Sequence, residues 1–194
     1  MGDLADRRDV ETEVYQPAED SQLLLEAARE RVTASDLVLE VGTGSGYVAA
    51  ELAAETDARV VGSDRNPHAC RAARARGVQT VRADLVGPFR DGGFDAVLFN
   101  PPYLPRVEAA EREDWMESAL TGGEMGREVS ERFVSAVGRV LAPGGTVWLV
   151  ASTVSGVEEL EARAREVGFD VAQVAEETFP FETLVVLELV GPDH

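Results

Sequence analysis

Short apolar runs of strand length alternate along the chain with segments whose apolar residues recur at helical spacing. This alternation favours a parallel sheet covered by helices on both faces. The last two strands, which no helix separates, read as an antiparallel hairpin. The sequence therefore predicts an α/β fold with a seven-stranded, mostly parallel sheet. Its strands are predicted at Leu37–Val41, Arg59–Ser63, Gln79–Arg82, Phe94–Phe99, Thr146–Ala151, Asp170–Ala175 and Thr183–Val190.

Caps, prolines and glycines mark the helix boundaries. Pro17 suits a first helical position, and Asn66 supplies a cap for a helix that Gly77 is suited to end. Ser155 and Glu158 have the spacing of a capping box. Helices are predicted from Pro17 onward, at Tyr47–Glu55, Pro67–Arg76 and Arg127–Leu141, and from Ser155 to Val167.

The length of 194 residues fits a single domain that spans residues 1–194. Residues 1–13 are expected to form a poorly ordered tail. Residues 104–123 are acidic and irregular, and an insertion of this length beside a candidate site is typical of a substrate-side lid.

The segment Asn100-Pro101-Pro102-Tyr103 follows a buried strand and carries the sharpest chemical signal. Ligands bind at the carboxyl ends of strands in open α/β sheets. There the side-chain oxygen of Asn100 and the carbonyl of Pro101 can accept the two hydrogens of a planar NH2 group, which would select an amide or amino nitrogen. The alternative is an ordinary turn, because Asn and Pro favour turns for conformational reasons alone.

The loop Gly42–Gly46, between a predicted strand and a predicted helix, is a second candidate site. Its glycines let a ligand approach the backbone, and the helix offers its positive amino end to an anionic group. A dinucleotide fingerprint would need a further glycine where the chain has Tyr47, which disfavours a nicotinamide cofactor.

Three carboxylates stand near predicted strand ends. Burying Glu40 would be costly without a positive partner, such as a ligand ammonium or sulfonium. Asp64 stands where an acid meets ribose hydroxyls, or else it caps the next helix. Asp84 either accepts a hydrogen bond from an adenine amino group or caps the turn before Leu85. Asp64, Asp84 and Asn100 follow three successive strands, so we expect them along one edge of the sheet.

The chain has 36 acidic and 18 basic residues, a formal net charge of −18, and every basic residue is Arg. The acids are spread along the sequence, which suggests a protein kept soluble at high salt. A halophilic source is therefore one hypothesis, and an ordinary acidic bacterial protein is the other. No basic patch is expected, and direct DNA binding is disfavoured because phosphate neutralisation supplies most of such affinity.

Cys70 is the single cysteine, which excludes an internal disulfide and a cysteine-based zinc site. With only His68 and His194 to add, no metal site is predicted. The amino terminus lacks an apolar signal core, and no run of about 18 apolar residues occurs. The sequence therefore predicts a cytoplasmic protein that does not associate with membranes.

The segment Glu40-Val-Gly-Thr-Gly-Ser-Gly46 resembles the cofactor loop of class I S-adenosylmethionine-dependent methyltransferases. Asn100-Pro-Pro-Tyr103 resembles the motif of members that methylate amino and amide nitrogens. With Val14–Asp20, Gly122–Glu128 and Glu182–Leu184, these segments resemble the HemK-type enzymes. The specific likeness is to the archaeal and eukaryotic branch, which methylates the glutamine of the Gly-Gly-Gln motif in class I translation termination factors. A departure is Leu120-Thr121, where the branch tends to have Trp-Ala.

The resemblance implies a Rossmann-like class I methyltransferase fold with S-adenosylmethionine as the cofactor. Asn100 and the Pro101 carbonyl would hold the glutamine amide, with Tyr103 packed beside it. Glu19 and Asp20 would lie beside the cofactor and substrate opening, Asp64 at the ribose and Asp84 at the adenine. The implied cofactor-binding residues are Glu19, Glu40, Gly42, Thr43, Gly44, Gly46, Asp64, Asp84 and Asn100. The implied catalytic and substrate-binding residues are Asn100, Pro101, Pro102 and Tyr103.

The resemblance also implies two protein partners. One is the termination factor as substrate. The other is a small zinc-binding activator protein, which would form a heterodimer by adding a strand to the edge strand at residues 78–83.

Two other functions stay open at this point. An adenine N6 or other nucleic-acid amino methyltransferase would use the same motif, because adenine also presents a planar NH2 group; the charge of −18 argues against it. A catalytically silent scaffold subunit of a methyltransferase complex is the alternative from another class. The intact Asn100–Tyr103 motif argues against a scaffold, which has no need of an amide clamp.

Overall fold

The computed structural model describes residue 14 and residues 18–102 and 127–191. Tyr103, the expected tail at 1–13 and the expected lid at 104–123 lie outside the described residues. In chain order the elements are α1 (Glu19–Arg29), β1 (Leu37–Val41), α2 (Tyr47–Thr56), β2 (Arg59–Asp64), α3 (Pro67–Ala75), β3 (Gln79–Arg82), β4 (Phe94–Phe99), α4 (Glu128–Val137), a 3-10 turn (Gly138–Val140), β5 (Leu141–Ser152), α5 (Val157–Glu166), β6 (Asp170–Thr178) and β7 (Thr183–Val190).

In the described part of the chain the strands form one seven-stranded sheet in the order β3-β2-β1-β4-β5-β7-β6. Strands β1 to β5 are parallel to one another, whereas β7 runs antiparallel to both β5 and β6. The predicted fold class is confirmed. The strand order reverses between β1 and β4, and such switch points open the crevice where α/β proteins bind ligands. The loop after β1 and Asn100 after β4 therefore lie at neighbouring strand ends.

Apolar side chains fill both faces of the sheet. On one face α4 and α5 contribute Phe133 and Leu160 to a core that includes Leu149. On the other face α1 and α2 contribute Leu24 and Leu52. Both faces of the central strands are thus covered, which accounts for their continuous apolar runs. No helix among the described residues is long and apolar enough to cross a membrane.

The largest departure from the predicted elements lies before β5. The helix predicted to Leu141 ends at Val137, and the strand predicted from Thr146 already begins at Leu141. The backbone N–H groups of Gly92 and Gly93 donate to the carbonyls of Arg139 and Val140, at 3.0 and 2.8 Å. Leu141 then pairs with Phe94 across a register shift. Residues 139–141 thus pair with the start of β4 and the residues before it. Helical periodicity in the sequence gives no information about such a long-range pairing.

One predicted cap is confirmed and another is wrong. The side chain of Asn66 accepts from the backbone N–H of His68 at 2.8 Å, as expected for the cap of α3. The capping box of Ser155 and Glu158 does not form. Ser155 Oγ donates instead to the Ser152 carbonyl at 2.9 Å. Gly156, in a left-handed conformation with φ of 86°, takes the N-cap position of α5.

Candidate functional site

The loop after β1 is built from glycines in left-handed conformations. Gly42, Gly44 and Gly46 have φ of 65°, 53° and 79°, a region that other residues adopt only with strain. A Cβ added to Gly46 would lie 2.7 Å from the Cα of Ala73 in α3. The loop therefore turns tightly into α2, and at this point two helices touch through backbone atoms.

The carboxyl group of Glu40 holds this loop in place through hydrogen bonds. Glu40 is 4% exposed and accepts hydrogen bonds from the Thr43 hydroxyl and, at 3.1 Å, from the backbone N–H of Ala49. Burial raises the pKa of Glu40 to about 8, although both hydrogen bonds act in the opposite direction. The partners of this carboxyl in the structure are thus neutral groups of the loop and of α2. Its expected contact with a cationic ligand stays a prediction.

The neighbouring strand has a glycine for a reason that the sequence did not reveal. A Cβ added to Gly62 in β2 would lie 2.8 Å from Thr43 Oγ1, the hydroxyl that serves Glu40. The backbone N–H of Thr43 also donates to the Ser63 carbonyl at 2.9 Å. The loop is therefore fixed against β2 by a hydrogen bond and by a contact that leaves no room for a methyl group.

Asp64, at the end of β2, joins the loop to the start of α3. Its carboxyl group accepts from the backbone N–H of Gly44 at 3.0 Å and from that of Asn66 at 2.8 Å. Burial raises the pKa of Asp64, against the effect of these two hydrogen bonds. The expectation that Asp64 caps the next helix is not met, because Asn66 is the cap of α3 and at this helix Asp64 bonds only to the N–H of that cap residue. The expected contact with a ribose stays a prediction.

Asn100 differs from these residues because its side-chain oxygen has no partner. Asn100 Oδ1 is fully buried and accepts no hydrogen bond from any described residue. The other such atom is Trp148 Nε1, which lies in the apolar core. A buried unpaired acceptor costs roughly 1–3 kcal/mol, so such atoms are rare and mark places where a ligand donor can fit. The following Pro101 is buried as well.

The backbone of Asn100 lies beside the glycine loop. A Cβ added to Gly42 would lie 3.2 Å from the ring of Phe99 and 3.9 Å from the carbonyl oxygen of Asn100. The structure therefore brings together residues of the loop, Glu40, Asp64 and Asn100. A crevice of this composition can hold a charged ligand along the loop and present the NH2 group of a second ligand to Asn100.

Asp84 is not part of this group. It is an exposed residue, and its carboxylate forms a 2.8 Å ion pair with Arg132 of α4. It lines a separate groove of about 1050 Å³ between residues 84–87 and α4. Glu19 is also exposed, whereas Asp20 is 2% exposed and accepts from the backbone N–H of Ser21 at 2.6 Å. Contacts of Asp84 and Glu19 with a cofactor stay predictions.

The expectation that the surface has no basic patch is wrong. Between Arg65 and Arg82 the chain has five arginines and no acidic residue. We call this set the arginine cluster; all five are exposed, and among the described residues none lies within 4 Å of a carboxylate. The arginines that do form ion pairs lie elsewhere, on α1, α4 and α5 and around them. The cluster consists of Arg65, Arg71, Arg74, Arg76 and Arg82.

Comparison with known proteins places this arrangement in a family. The Methyltransferase small domain family matches residues 17–182. A protein of Methanocaldococcus jannaschii, named as a candidate protein N5-glutamine methyltransferase, is 36% identical over 181 residues, which cover 90% of each chain. Methyltransferase HEMK2 of Homo sapiens is 35% identical over 191 residues, covering 91% of this chain and 89% of that protein.

A solved structure agrees with these relatives. It holds Mtq2 of E. cuniculi in complex with Trm112, described as responsible for methylation of the eRF1 translation termination factor. Its TM-score with this chain is 0.77 at 29% identity, and the match covers 92% of this chain and 99% of that one. The likeness thus extends over sequence and fold together.

Proposed function

The chain belongs to the HemK-type branch of the Methyltransferase small domain family, and from this membership we propose that it methylates a glutamine side chain. The methyl group would come from S-adenosylmethionine, and the acceptor would be the amide nitrogen in the Gly-Gly-Gln motif of a class I translation termination factor. The observation that carries the proposal is the buried Oδ1 of Asn100, which accepts no hydrogen bond from any described residue, on a residue whose backbone carbonyl lies beside the glycine loop.

The residues around the loop fit S-adenosylmethionine, which when bound supplies a methyl group on a positively charged sulfonium. Three of the loop residues are glycines, so no side chain separates their backbone from a ligand, and the carboxyl groups of Glu40 and Asp64 bond to the loop residues Thr43 and Gly44. Gly42, Thr43, Gly44 and Gly46 would line the methionine part, and Asp64 would bind the ribose. The remaining contacts proposed for the cofactor are those of Glu19, Glu40, Asp84 and Asn100.

The chemical role of this chain is mainly to position the acceptor nitrogen. Asn100 Oδ1 and the Pro101 carbonyl accept the two hydrogens of the glutamine amide, which fixes the direction of its nitrogen. Fixing two reactants in line removes much of the entropic barrier to their reaction. No strong general base is required, because the nitrogen loses its proton readily once it has become cationic. Pro102 stiffens the backbone here, and Tyr103 would pack beside the glutamine.

A small zinc-binding activator protein is proposed as the partner, adding a strand to β3 within residues 78–83. β3 is the outer strand at one end of the sheet, and Val81 on it is 39% exposed. Arg82 of the arginine cluster lies in this strand, and the Arg74 side chain donates to the carbonyl of Thr80 in the strand at 2.7 Å. In a chain of net charge −18, a group of cations without carboxylate partners fits a partner with an acidic docking surface.

The strand at the other end of the sheet, β6, is poorly suited to pair with a strand of a partner. β6 carries the acidic residues Asp170, Glu176 and Glu177, and its register shifts between Gln173 and Ala175. Charged side chains and bulges on an edge strand hinder the addition of another strand. The contrast supports β3 as the edge used for pairing.

Charge reversal tests the activator site. Changing Arg71 and Arg76 together to Glu should weaken the heterodimer at least tenfold in a binding titration, because both lie in the arginine cluster. The matched control changes Arg29 and Arg165 to Glu. These two arginines pair with carboxylates elsewhere on the protein. Equal weakening of the heterodimer by both pairs of substitutions would contradict a specific site. Binding of RNA by the wild type, and not by the Arg71 and Arg76 variant, would point to nucleic acid as the partner.

The function is tested by transfer of labelled methyl groups from S-adenosylmethionine in high salt with the activator present. The substrates are a termination factor and its variant with Gln→Ala in the Gly-Gly-Gln motif, and Asn100→Ala is the control enzyme. The proposal predicts label on the unaltered factor only, and its loss with Asn100→Ala. Label on nucleic acid or on another protein would contradict the proposed substrate, and no label on any substrate would favour a silent scaffold.

A further inference from the structure

Two large apolar side chains are exposed at one place on this acidic surface. Phe181, in the turn between β6 and β7, is 94% exposed, and Val154, in the turn after β5, is 44% exposed. Among the described residues these are the most exposed large apolar side chains. We call residues 153–155 and 179–182 together the apolar tip. Isolated exposed apolar residues are common, so the significance of the tip depends on its rigidity and its position.

Hydrogen bonds hold the two turns of the apolar tip together. Ser152 Oγ donates to Glu182 Oε2 at 2.6 Å, and the backbone N–H of Thr153 donates to the Thr183 carbonyl at 3.0 Å. The backbone N–H of Thr183 returns a 3.0 Å bond to Thr153 Oγ1. Phe179 N–H donates to the Glu182 carbonyl at 2.8 Å, which closes the turn that carries Phe181. The phenyl group is thus presented by a backbone that is already ordered, so binding to it costs little loop entropy.

The apolar tip lies at the same edge of the sheet as Asn100. Phe99 pairs with Leu149 in parallel register, so Ser152 at the end of β5 lies three residues farther in the direction of that edge. β7 starts there, because Leu184 pairs with Ser152. Two strand spacings, about 10 Å, separate β4 from β7. An extended peptide rises about 3.3 Å per residue and would span this gap in roughly three residues.

We propose that Phe181 and Val154 bind an apolar side chain of the protein substrate, about three to five residues from the glutamine that is methylated. This inference rests on the proposed function and names a recognition contact outside the amide clamp. Burial of apolar area is insensitive to charge, so this contact can add affinity whatever the net charge of the partner. The proposed activator edge, β3, is six strand spacings from β6, about 29 Å, so the tip stays accessible in the heterodimer.

Steady-state kinetics of Phe181→Ala with the activator bound test the inference. The KM for the termination factor should rise about 5- to 10-fold, as expected for the loss of one apolar contact, while kcat is unchanged. The KM for a short peptide, with two residues on each side of the glutamine, should not change because it cannot reach the tip. Phe181→Leu should restore most of the affinity, and Val174→Ala, at an exposed position on β6, should leave both constants unchanged.

An unchanged KM for the whole factor would overturn the inference, as would equal increases for the factor and the short peptide. Weaker binding of the activator to Phe181→Ala would overturn it too, by assigning the tip to that partner. Failure of the proposed function is distinguishable, since the wild type would then leave the glutamine of the factor unlabelled. In that case a photoreactive benzoylphenylalanine at position 181 still tests the contact with the factor. A crosslink to the factor supports the contact, and the absence of a crosslink excludes it.

Discussion

The two halves of the candidate site differ in how far their polar groups are satisfied by hydrogen bonds within the chain. In the half formed by β1, β2 and the glycine loop, the buried carboxyl group of Glu40 and the half-buried one of Asp64 bond to hydroxyl and backbone donors of the chain itself. In the half formed by β4, β5 and the apolar tip, Asn100 Oδ1 accepts no hydrogen bond from the described residues and Phe181 is exposed. The first half is complete before any ligand binds, whereas the second half lacks partners that a substrate can supply. Substitutions in the first should therefore act on stability as well as on cofactor binding, whereas substitutions in the second should act mainly on activity.

The same substitution at two asparagines should give the sharpest separation and the largest effect. Asn100→Ala should lower kcat/KM roughly 10²- to 10³-fold, because a positioned acceptor is lost at the reacting amide. Its free energy of unfolding should stay the same or rise by about 1 kcal/mol, since a buried unpaired acceptor is removed. Asn66→Ala, which removes the cap of α3, should cost about 1 kcal/mol of stability and leave kcat nearly unchanged. Denaturant unfolding and methyl-transfer kinetics on both variants check this, and a destabilised Asn100→Ala would break the comparison.

The next effect concerns the pH dependence of stability. The pKa of Glu40 is about 8 in the folded protein against an ordinary value of 4.5. Between these values the folded chain holds a proton that the unfolded chain has lost. The contribution of Glu40 is thus fully present below pH 4.5 and is lost as the pH rises toward 8, by a few kcal/mol. Glu40→Gln should flatten this decline in unfolding curves measured from pH 5 to 8. Parallel curves for the variant and the wild type would mean that Glu40 is already ionised in the fold.

Gly46 in the loop and Gly77 after α3 distinguish the energetic cost of a positive φ from the cost of a steric clash. Gly46→Ala should cost about 2–3 kcal/mol, because the new Cβ would lie 2.7 Å from the Cα of Ala73 and φ is positive. Gly77→Ala also has a positive φ, but its Cβ would meet no atom within 4 Å, so it should cost only about 1 kcal/mol. Thermal or denaturant unfolding of both variants measures the difference. Equal costs would show that α2 and α3 can move apart without penalty.

The smallest effect is expected in the hydrogen bonds that hold the apolar tip. Ser152→Ala removes the 2.6 Å bond to Glu182 and should raise the KM for the termination factor about twofold, with a stability cost near 0.5–1 kcal/mol. Ser135→Ala, on the exposed side of α4, should change stability by no more than that and should leave KM unchanged. A change in kcat with Ser152→Ala would mean that the tip acts on the chemical step and not on substrate recognition.

Local signals in the sequence were sufficient wherever neighbouring residues determine the structure. The bounds of β1, β3, β4 and β7, and the cap at Asn66, follow from apolar runs and turn residues, and the structure confirms them. The glycine loop could be located for the same reason, because each of its glycines must adopt a conformation that other residues avoid.

Contacts between distant segments could not be anticipated in this way. The carboxylate of Asp84 pairs with Arg132, which lies 48 residues later. The arginine cluster was present in the sequence but was hidden by a net charge averaged over the whole chain. The exposure of Phe181 depends on how a turn folds back on β5, and periodicity carries no information about that.

The contact between Gly62 and Thr43 also limits the order in which mutations can accumulate at these positions during evolution. A methyl group at position 62 has no room while Thr43 is present, and Thr43 is needed as long as Glu40 is buried and accepts its hydroxyl. Gly62 can therefore be replaced only after Thr43, and Thr43 only after Glu40. A lineage that loses Glu40 first opens the other two positions to drift, whereas one that keeps Glu40 inherits all three residues as a unit.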